Sequence, residues 1–486
     1  MRRFFLAVLA ISPFHFGGAL AATLPDVEKV LQQPPQVSLS PDSSPSCTAI
    51  GVTSLDEIQA YALASNLELN ARRASSFSAA DSKTASYLAL VPTVSVSASF
   101  ARYPESYSST AQSTKQSDGL GNTVQLFQQT YDTTSYDYSY LGASVTWNLL
   151  VPSVYTNIRQ YSSLYEASLY DVEFLENSII RQVRTSSLDV ISALESVRSN
   201  NDSYATSIKI LSGVQSQFDL GFLSKVELLR QMSQVSQFRI QLLNSLARFN
   251  SSLFELNRLI NNNSECRVYA KDTPEVLKGY LSVVSAPQED LIDQALLSRP
   301  DLKMLSSRLQ SQFARLDGLY TAYLPQTTLT AGYNYSNTNS LNYYSNTFSS
   351  NHNSESFTND FTISISTSLS FDGGQSLSSA SALRHDIQSL ELQIEDTRSR
   401  IASNISKYTS DLAFYQSQSS VLSDKLKYAS QTLDAINIRF DSGYSPITDL
   451  LDAQRVYSNT QLEVIQNLNR EASSIALLLF EIASRP

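Results

Sequence analysis

Ala62-Leu63-Ala64-Ser65-Asn66-Leu67-Glu68-Leu69 returns in the same chain as Ala295-Leu296-Leu297-Ser298-Arg299-Pro300-Asp301-Leu302, and Leu90-Val91-Pro92 returns at the same offset as Tyr323-Leu324-Pro325. Farther along, Phe218-Asp219-Leu220-Gly221 and Glu227-Leu228-Leu229 match Phe440-Asp441-Ser442-Gly443 and Asp449-Leu450-Leu451, again at one common offset but a smaller one. An offset that shrinks partway through the unit requires a shorter loop in the second copy. One supersecondary unit is therefore used twice, and its elements decide the fold.

The shortened loop falls between two strand candidates. Val94-Ser95-Val96-Ser97-Ala98-Ser99-Phe100 and Leu141-Gly142-Ala143-Ser144-Val145-Thr146-Trp147 alternate in the first copy. Leu329-Thr330-Ala331-Gly332-Tyr333 and Phe361-Thr362-Ile363-Ser364-Ile365-Ser366 do so in the second. Each strand has one apolar face and one Ser, Thr or Gly face. That pattern suits a soluble half-buried sheet as well as a membrane barrel, and the aromatic residues nearby favour the barrel. Tyr103, Tyr107, Tyr136, Tyr138 and Tyr140 flank the first pair, and Tyr333, Tyr335, Phe357, Phe361 and Phe371 the second, as at a membrane interface. Four strands cannot close around a lumen, and an open edge cannot face lipid. Three chains would supply twelve strands, an even number of the kind such barrels use.

The remainder of each copy reads as long helix. Ile394, Ile401, Ile405, Tyr408, Leu412, Tyr415, Leu422, Leu426, Leu433, Ile436 and Phe440 follow one another at coiled-coil spacings. Residues 375–441, and 153–219 in the first copy, each predict a helix of roughly 100 Å at 1.5 Å per residue. Helices with a single seam need neighbours along their whole length, so a ring of them makes a tube. Gly221 and Gly443 are placed to end these helices in the left-handed conformation. A second helix then follows from Ser224 or from Pro446, with Pro446 expected in its first turn. The result is two helical hairpins whose tips lie far from the strands.

The chain of 486 residues opens with Met1-Arg2-Arg3, an apolar run from Phe4 to Ile11, and Ala19-Leu20-Ala21, the pattern of a secretory signal peptide. No Cys stands beside that cleavage region to carry a lipid, so anchoring is expected from the fold. No later apolar run reaches the roughly 20 residues of a spanning helix. With 45 Asp and Glu against 35 Lys and Arg, the chain is acidic, which argues against a nucleic-acid partner. The three His residues, His15, His352 and His385, suggest neither a metal site nor a catalytic relay, and no nucleotide-binding lysine loop is present. Neither enzyme chemistry nor a cofactor is expected. Cys47 and Cys266 each stand just before a repeat; in an oxidising compartment they are either bridged or two unpaired thiols.

At the hairpin tips, Arg439-Phe440-Asp441-Ser442-Gly443 with Asp449-Leu450-Leu451-Asp452-Ala453-Gln454, and the weaker Phe218-Asp219-Leu220-Gly221 with Val226-Glu227-Leu228-Leu229, resemble the TolC family of outer-membrane efflux and secretion channels. The resemblance covers roughly residues 50 to 486. It implies an α+β membrane protein: a trimeric twelve-stranded transmembrane β-barrel, four strands per chain, continued by a long periplasmic α-helical tunnel. It also implies a periplasmic adaptor and an inner-membrane ABC or proton-driven transporter as partners, with outer-membrane lipid around the barrel. The implied division is a signal peptide at 1–21, a Pro-rich arm at 22–50, a first repeat at 51–264, a linker at 265–290 and a second repeat at 291–486.

The resemblance further implies that Asp449 and Asp452 line the periplasmic constriction, where carboxylates around a narrow aqueous mouth favour cations. Acidic residues in a helix's first turn also simply complement its dipole. Ser445 departs from the family, whose best-known member has an arginine there that helps to lock the entrance. A substitute lies in the unequal copies, since Glu227 matches Asp449 whereas Arg230 matches Asp452. Arg230 of one tip is thus expected to pair with Asp449 or Asp452 of an adjacent tip. The expected function is a passive conduit for type I protein secretion or small-molecule efflux; a trimeric coiled-coil adhesin or structural envelope protein is the alternative.

Overall fold

A computed structural model describes residues 50–117, 119, 123–262, 267–345 and 350–483. The signal peptide at 1–21, the N-terminal arm up to residue 49, Cys47 and Cys266 lie outside the described residues, as do the side chains of Tyr103, Tyr107, Tyr136 and His352.

The first copy runs β1 (Ile50–Thr53), α1 (Leu55–Ser65), α2 (Leu67–Leu88), β2 (Thr93–Ser117), β3 (Thr123–Leu150), α3 (Pro152–Asp219) and α4 (Lys225–Leu259). The segment expected as a linker is ordered into β4 (Arg267–Ala270), α5 (Thr273–Gly279) and α6 (Leu281–Val284). The second copy follows as α7 (Gln288–Ser298), α8 (Pro300–Thr321), β5 (Gln326–Ser345), β6 (Ser350–Ser368), α9 (Gln375–Asp441) and α10 (Ile447–Glu481). The linker is structured because β4 has a partner: it runs parallel to β1, with Ile50 opposite Arg267 and Thr53 opposite Ala270.

The main sheet has the order β2-β3-β5-β6 with every pairing antiparallel, so two hairpins lie side by side, one from each copy. Its strands are far longer than the alternating cores that announce them, 25 and 28 residues in the first hairpin and 20 and 19 in the second. The Ser, Thr, Tyr and Asn beyond each core continue the ladder, since backbone pairing needs no apolar side chain. The shorter second hairpin accounts for the change in repeat offset.

At 68 and 67 residues, α3 and α9 extend about 100 Å from the sheet at 1.5 Å per residue. The expected seam of α9 is where the chain packs: Ile401, Ile405, Leu412, Leu422 and Phe440 are buried. Three apolar clusters hold the helices together. Two lie around the middle of the long helices and reflect the repeat, since Ile58, Ala62 and Leu69 are buried in one and their repeat equivalents Leu291, Ala295 and Leu302 in the other. The third joins the two hairpin tips through Val214, Leu228, Phe440, Ile447 and Leu450. Between them the helix interfaces are polar and small-sided: Ser203 Oγ bonds Ser458 Oγ at 3.0 Å, and Gln231 Nε2 donates to the Ser207 carbonyl at 2.9 Å. Among the described residues no helix is long and apolar enough to cross a membrane.

Candidate functional site

The register of the sheet lines up the apolar halves of all four strands. Val94, Val145, Ala331 and Ile363 form one cross-strand row; Val96, Ala143, Tyr333 and Phe361 form the next; Ala98, Leu141, Tyr335 and Asn359 a third. The rows between them are polar: Ser95, Ser144, Gly332 and Thr362, then Ser97, Gly142, Asn334 and Asp360. Directly opposed residues point to the same side of a sheet, so one face is greasy and the other hydrophilic. The greasy face is bare within the chain, with Val96 72% and Ile365 67% exposed.

The apolar band has edges. It runs from the row of Trp147, Leu329 and Ile365 to that of Phe100, Ser139, Asn337 and Phe357. Along β6 that is eight residue-to-residue steps, from Phe357 to Ile365, about 26 Å at 3.3 Å each, close to the roughly 25 Å apolar height of an outer-membrane barrel. One row beyond stand Arg102, Asp137, Asn339 and Glu355, where Arg102 Nε and Nη2 reach Asp137 at 2.8 and 2.9 Å. At the other limit, Trp147 Nε1 donates to the Leu90 carbonyl at 3.0 Å and so ties the strand to the end of α2. The Tyr323 and Phe371 rings meet there, 6.0 Å apart. Tyr323 and Ser376 donate to Asp372 at 2.6 and 2.5 Å. The Ser376 hydroxyl first, and then that of Tyr323, hold the Asp372 carboxyl well below the usual range.

Two of the aromatics expected at the interface lie elsewhere. Tyr138 and Tyr140 belong to the polar rows, opposite Ala101 and Ser99, and Tyr140 donates to Asn334 Oδ1 at 2.6 Å. Composition could not separate the two faces, because tyrosine suits either one; parity in the ladder does.

At the tips, Gly221 and Gly443 have φ of 81° and 77° and terminate α3 and α9 as expected. The N–H of Gly443 bonds the Phe440 carbonyl at 2.9 Å and that of Tyr444 the Arg439 carbonyl at 2.8 Å, a Schellman arrangement. Pro446 is the N-cap of α10 rather than a first-turn residue. Its extended backbone ends the turn, and its missing N–H is still harmless there.

Asp449 and Asp452 share one groove of about 760 Å³ between α9 and α10, lined also by Arg439, Ser445 and Tyr428. Ser445, which stands where an arginine lock would be, donates through Oγ to Asp449 Oδ2 at 3.2 Å. Asp452 is paired with Arg455 of its own helix at 2.5 Å. That partner was legible as an acid-base pair three residues apart. Glu227 does not join the aspartates: it completes a capping box with Ser224, whose N–H it accepts at 2.8 Å, and this bond lowers its pKa. Arg230 is exposed and makes no salt bridge within the chain among the described residues.

Comparison with known proteins agrees with this geometry. Residues 291–478 match the outer membrane efflux protein family model. No curated protein sequence matches the chain. Among solved structures it is similar to the Campylobacter jejuni CmeC outer membrane channel (TM-score 0.66, 15% identity, 88% of this chain and 85% of that one). It is similar also to the open state of the Neisseria gonorrhoeae MtrE outer membrane channel (0.65, 16%, 88% of each chain), and to the outer membrane protein VceC from Vibrio cholerae (0.66, 12%, 88% and 95%). The second copy thus matches the outer membrane efflux protein family model over residues 291–478, and the chain as a whole has the fold of these solved outer membrane channels.

Proposed function

We propose that three copies of this chain form the outer component of a tripartite export system: a passive channel-tunnel for type I protein secretion or small-molecule efflux. Its helical end would dock with a periplasmic adaptor and, through it, an inner-membrane ABC or proton-driven transporter. The observation that carries this is the four-stranded sheet, apolar on one face and polar on the other, with β2 and β6 left without partners at its edges among the described residues. Unpaired backbone in hydrocarbon costs several kcal/mol per group, and pairing β6 of one copy with β2 of the next removes both edges. The polar rows then face a water-filled lumen. Purified protein in planar bilayers is expected to conduct as a trimer, and on a denaturing gel to migrate more slowly unheated, as the trimer, than boiled, as the monomer. A chain that neither conducts nor changes migration on heating is the adhesin or structural envelope protein instead.

For the gate, we propose that Arg230 of one tip pairs with Asp449 or Asp452 of an adjacent tip. Asp449, held among the described residues by the Ser445 hydroxyl and by no salt bridge, is the more available acceptor, since Asp452 already has Arg455. An exposed pair is worth about 0–1 kcal/mol, repeated by three-fold symmetry. Arg230→Ala is expected to raise opening frequency in single-channel records; unchanged conductance and opening would dismiss the pairing. A Cys47–Cys266 disulfide is also proposed, supported by the parallel pairing of β1 and β4, which begin shortly after those thiols, at Ile50 and Arg267.

A further inference from the structure

Halfway along α3 a guanidinium is buried without a counter-ion. Arg184 is 5% exposed, its Nε is shut off from solvent without an acceptor, and among the described residues it has no ion pair. Burial pushes its pKa down, with only the charges of Tyr280 and Asp56 opposing. A charge taken out of water alone is expensive, so something must compensate it. Arg184 lines a cavity of about 190 Å³ bounded by α1, α3 and α10. A second guanidinium, Arg181, lines the same cavity one turn away on the same helix face. It stacks on the Phe480 ring at 4.9 Å, and its Nε also lacks an acceptor. Gln59 adds an amide from α1. The acidic residue of that wall, Glu176, is already held by Arg73 at 3.0 Å. The cavity thus concentrates two positive charges that repel each other, neither of them in a salt bridge among the described residues.

We propose that this cavity is a binding site for one small oxyanion, of the phosphate or sulfate class, held between Arg184 and Arg181 with Gln59 as a further donor. Guanidinium forks match the paired oxygens of such ions. The volume equals that of about six waters at roughly 30 Å³ each, enough for a tetrahedral oxyanion and not for a nucleotide. An ion there would join α1, α3 and α10 at mid-tunnel, far from both the barrel and the tips, so its occupancy would stiffen the tunnel and leave the aperture residues untouched.

The test uses the full-length protein in detergent at constant ionic strength, with sodium phosphate or sulfate exchanged against sodium chloride. The thermal midpoint is expected to rise saturably with phosphate and with sulfate, and calorimetric titration of phosphate to give about one site per chain. Arg184→Met is expected to weaken phosphate binding at least tenfold and Arg181→Gln by a smaller factor. The order of stability should also invert: without oxyanion Arg184→Met is as stable as the wild type or more so, because a lone buried charge has gone, and in saturating phosphate it is less stable. The site is refuted by absence of saturable binding to the wild-type protein, by equal binding in Arg184→Met, or by a variant less stable than wild type by the same margin in both buffers. Should Arg184→Met not fold, wild-type calorimetry and Arg181→Gln decide alone, with unchanged affinity in Arg181→Gln counting against the site.

Discussion

Glu481, near the end of α10, shares a single guanidinium with another carboxylate. Arg299 is buried between Asp301, which it meets at 2.9 and 2.7 Å, and Glu481, and Asn404 donates to Glu481 at 3.0 Å. Two acids on one buried base leave an excess negative charge, and burial pushes the Glu481 carboxyl upward, with the Asp301 charge adding to the effect. A raised carboxyl takes up its proton more readily folded than unfolded, so its contribution favours the fold as pH falls toward the ordinary carboxylate range near 4.5 and is lost as pH rises through the raised value. Thermal midpoints of the wild type and Glu481→Gln, compared from about pH 4.5 to 8, should therefore diverge with rising pH, the wild type losing ground. The tip caps are simpler. Ser224→Ala removes an acceptor from the Glu227 N–H and should cost about 1 kcal/mol locally, seen as faster amide exchange at residues 225–228. Both sites show how much residue chemistry could be read in advance. The capping box has a sequence signature, whereas nothing in Arg299-Pro300-Asp301 announces a partner 182 residues away.

Among the elements, the strands carry the membrane claim and also its sharpest contrast. Ile363 and Ser364 are neighbours in β6, yet Ile363 stands in the row of Val94 and Val145 and Ser364 in that of Thr146 and Thr330. Ile363→Lys places a charge in the apolar band and should cost about 2–4 kcal/mol. That loss should appear as a lower temperature for conversion to the heat-denatured band on a gel. Ser364→Lys should leave that temperature within a few degrees and shift ion selectivity toward anions in bilayer recordings. The alternation in Phe361-Thr362-Ile363-Ser364-Ile365-Ser366 already separated the two faces. It could not say how far each strand runs past its apolar core, because polar rows pair through backbone alone. Nor did spacing reveal that residues 267–284 are ordered, since β4 of four residues acquires stability from β1 and the surrounding helices rather than from its own pattern.

At the level of the whole molecule, neither the sheet nor the long helices can be satisfied by one chain. The bare apolar band and the two edges of the sheet left unpaired among the described residues are the physical case for assembly, and α3 and α9 extend the same need along about 100 Å of helix. The proposed disulfide would act at this scale too, because it would close a loop containing the whole first copy. Non-reducing and reducing gels of the denatured protein should differ in mobility. Cys266→Ser should abolish the difference and lower the thermal midpoint in keeping with a loss of about 2–5 kcal/mol. Equal mobility in both gels would show two free thiols.

The twofold repeat, the faces of the strands, the seam of the long helices and the glycines that end them were all legible in the amino-acid order. Each is a periodic or local property, written in side-chain spacing and in backbone preference. Packing decided which strands are neighbours, which tyrosines face the polar side, that Asp452 is held by Arg455 while Asp449 accepts from the Ser445 hydroxyl, and that Arg184 is buried with no salt bridge among the described residues. Those outcomes depend on register and on the meeting of residues far apart in the chain. The energy of a charge or an edge is set by what surrounds it, and those surroundings exist only once the chain has packed.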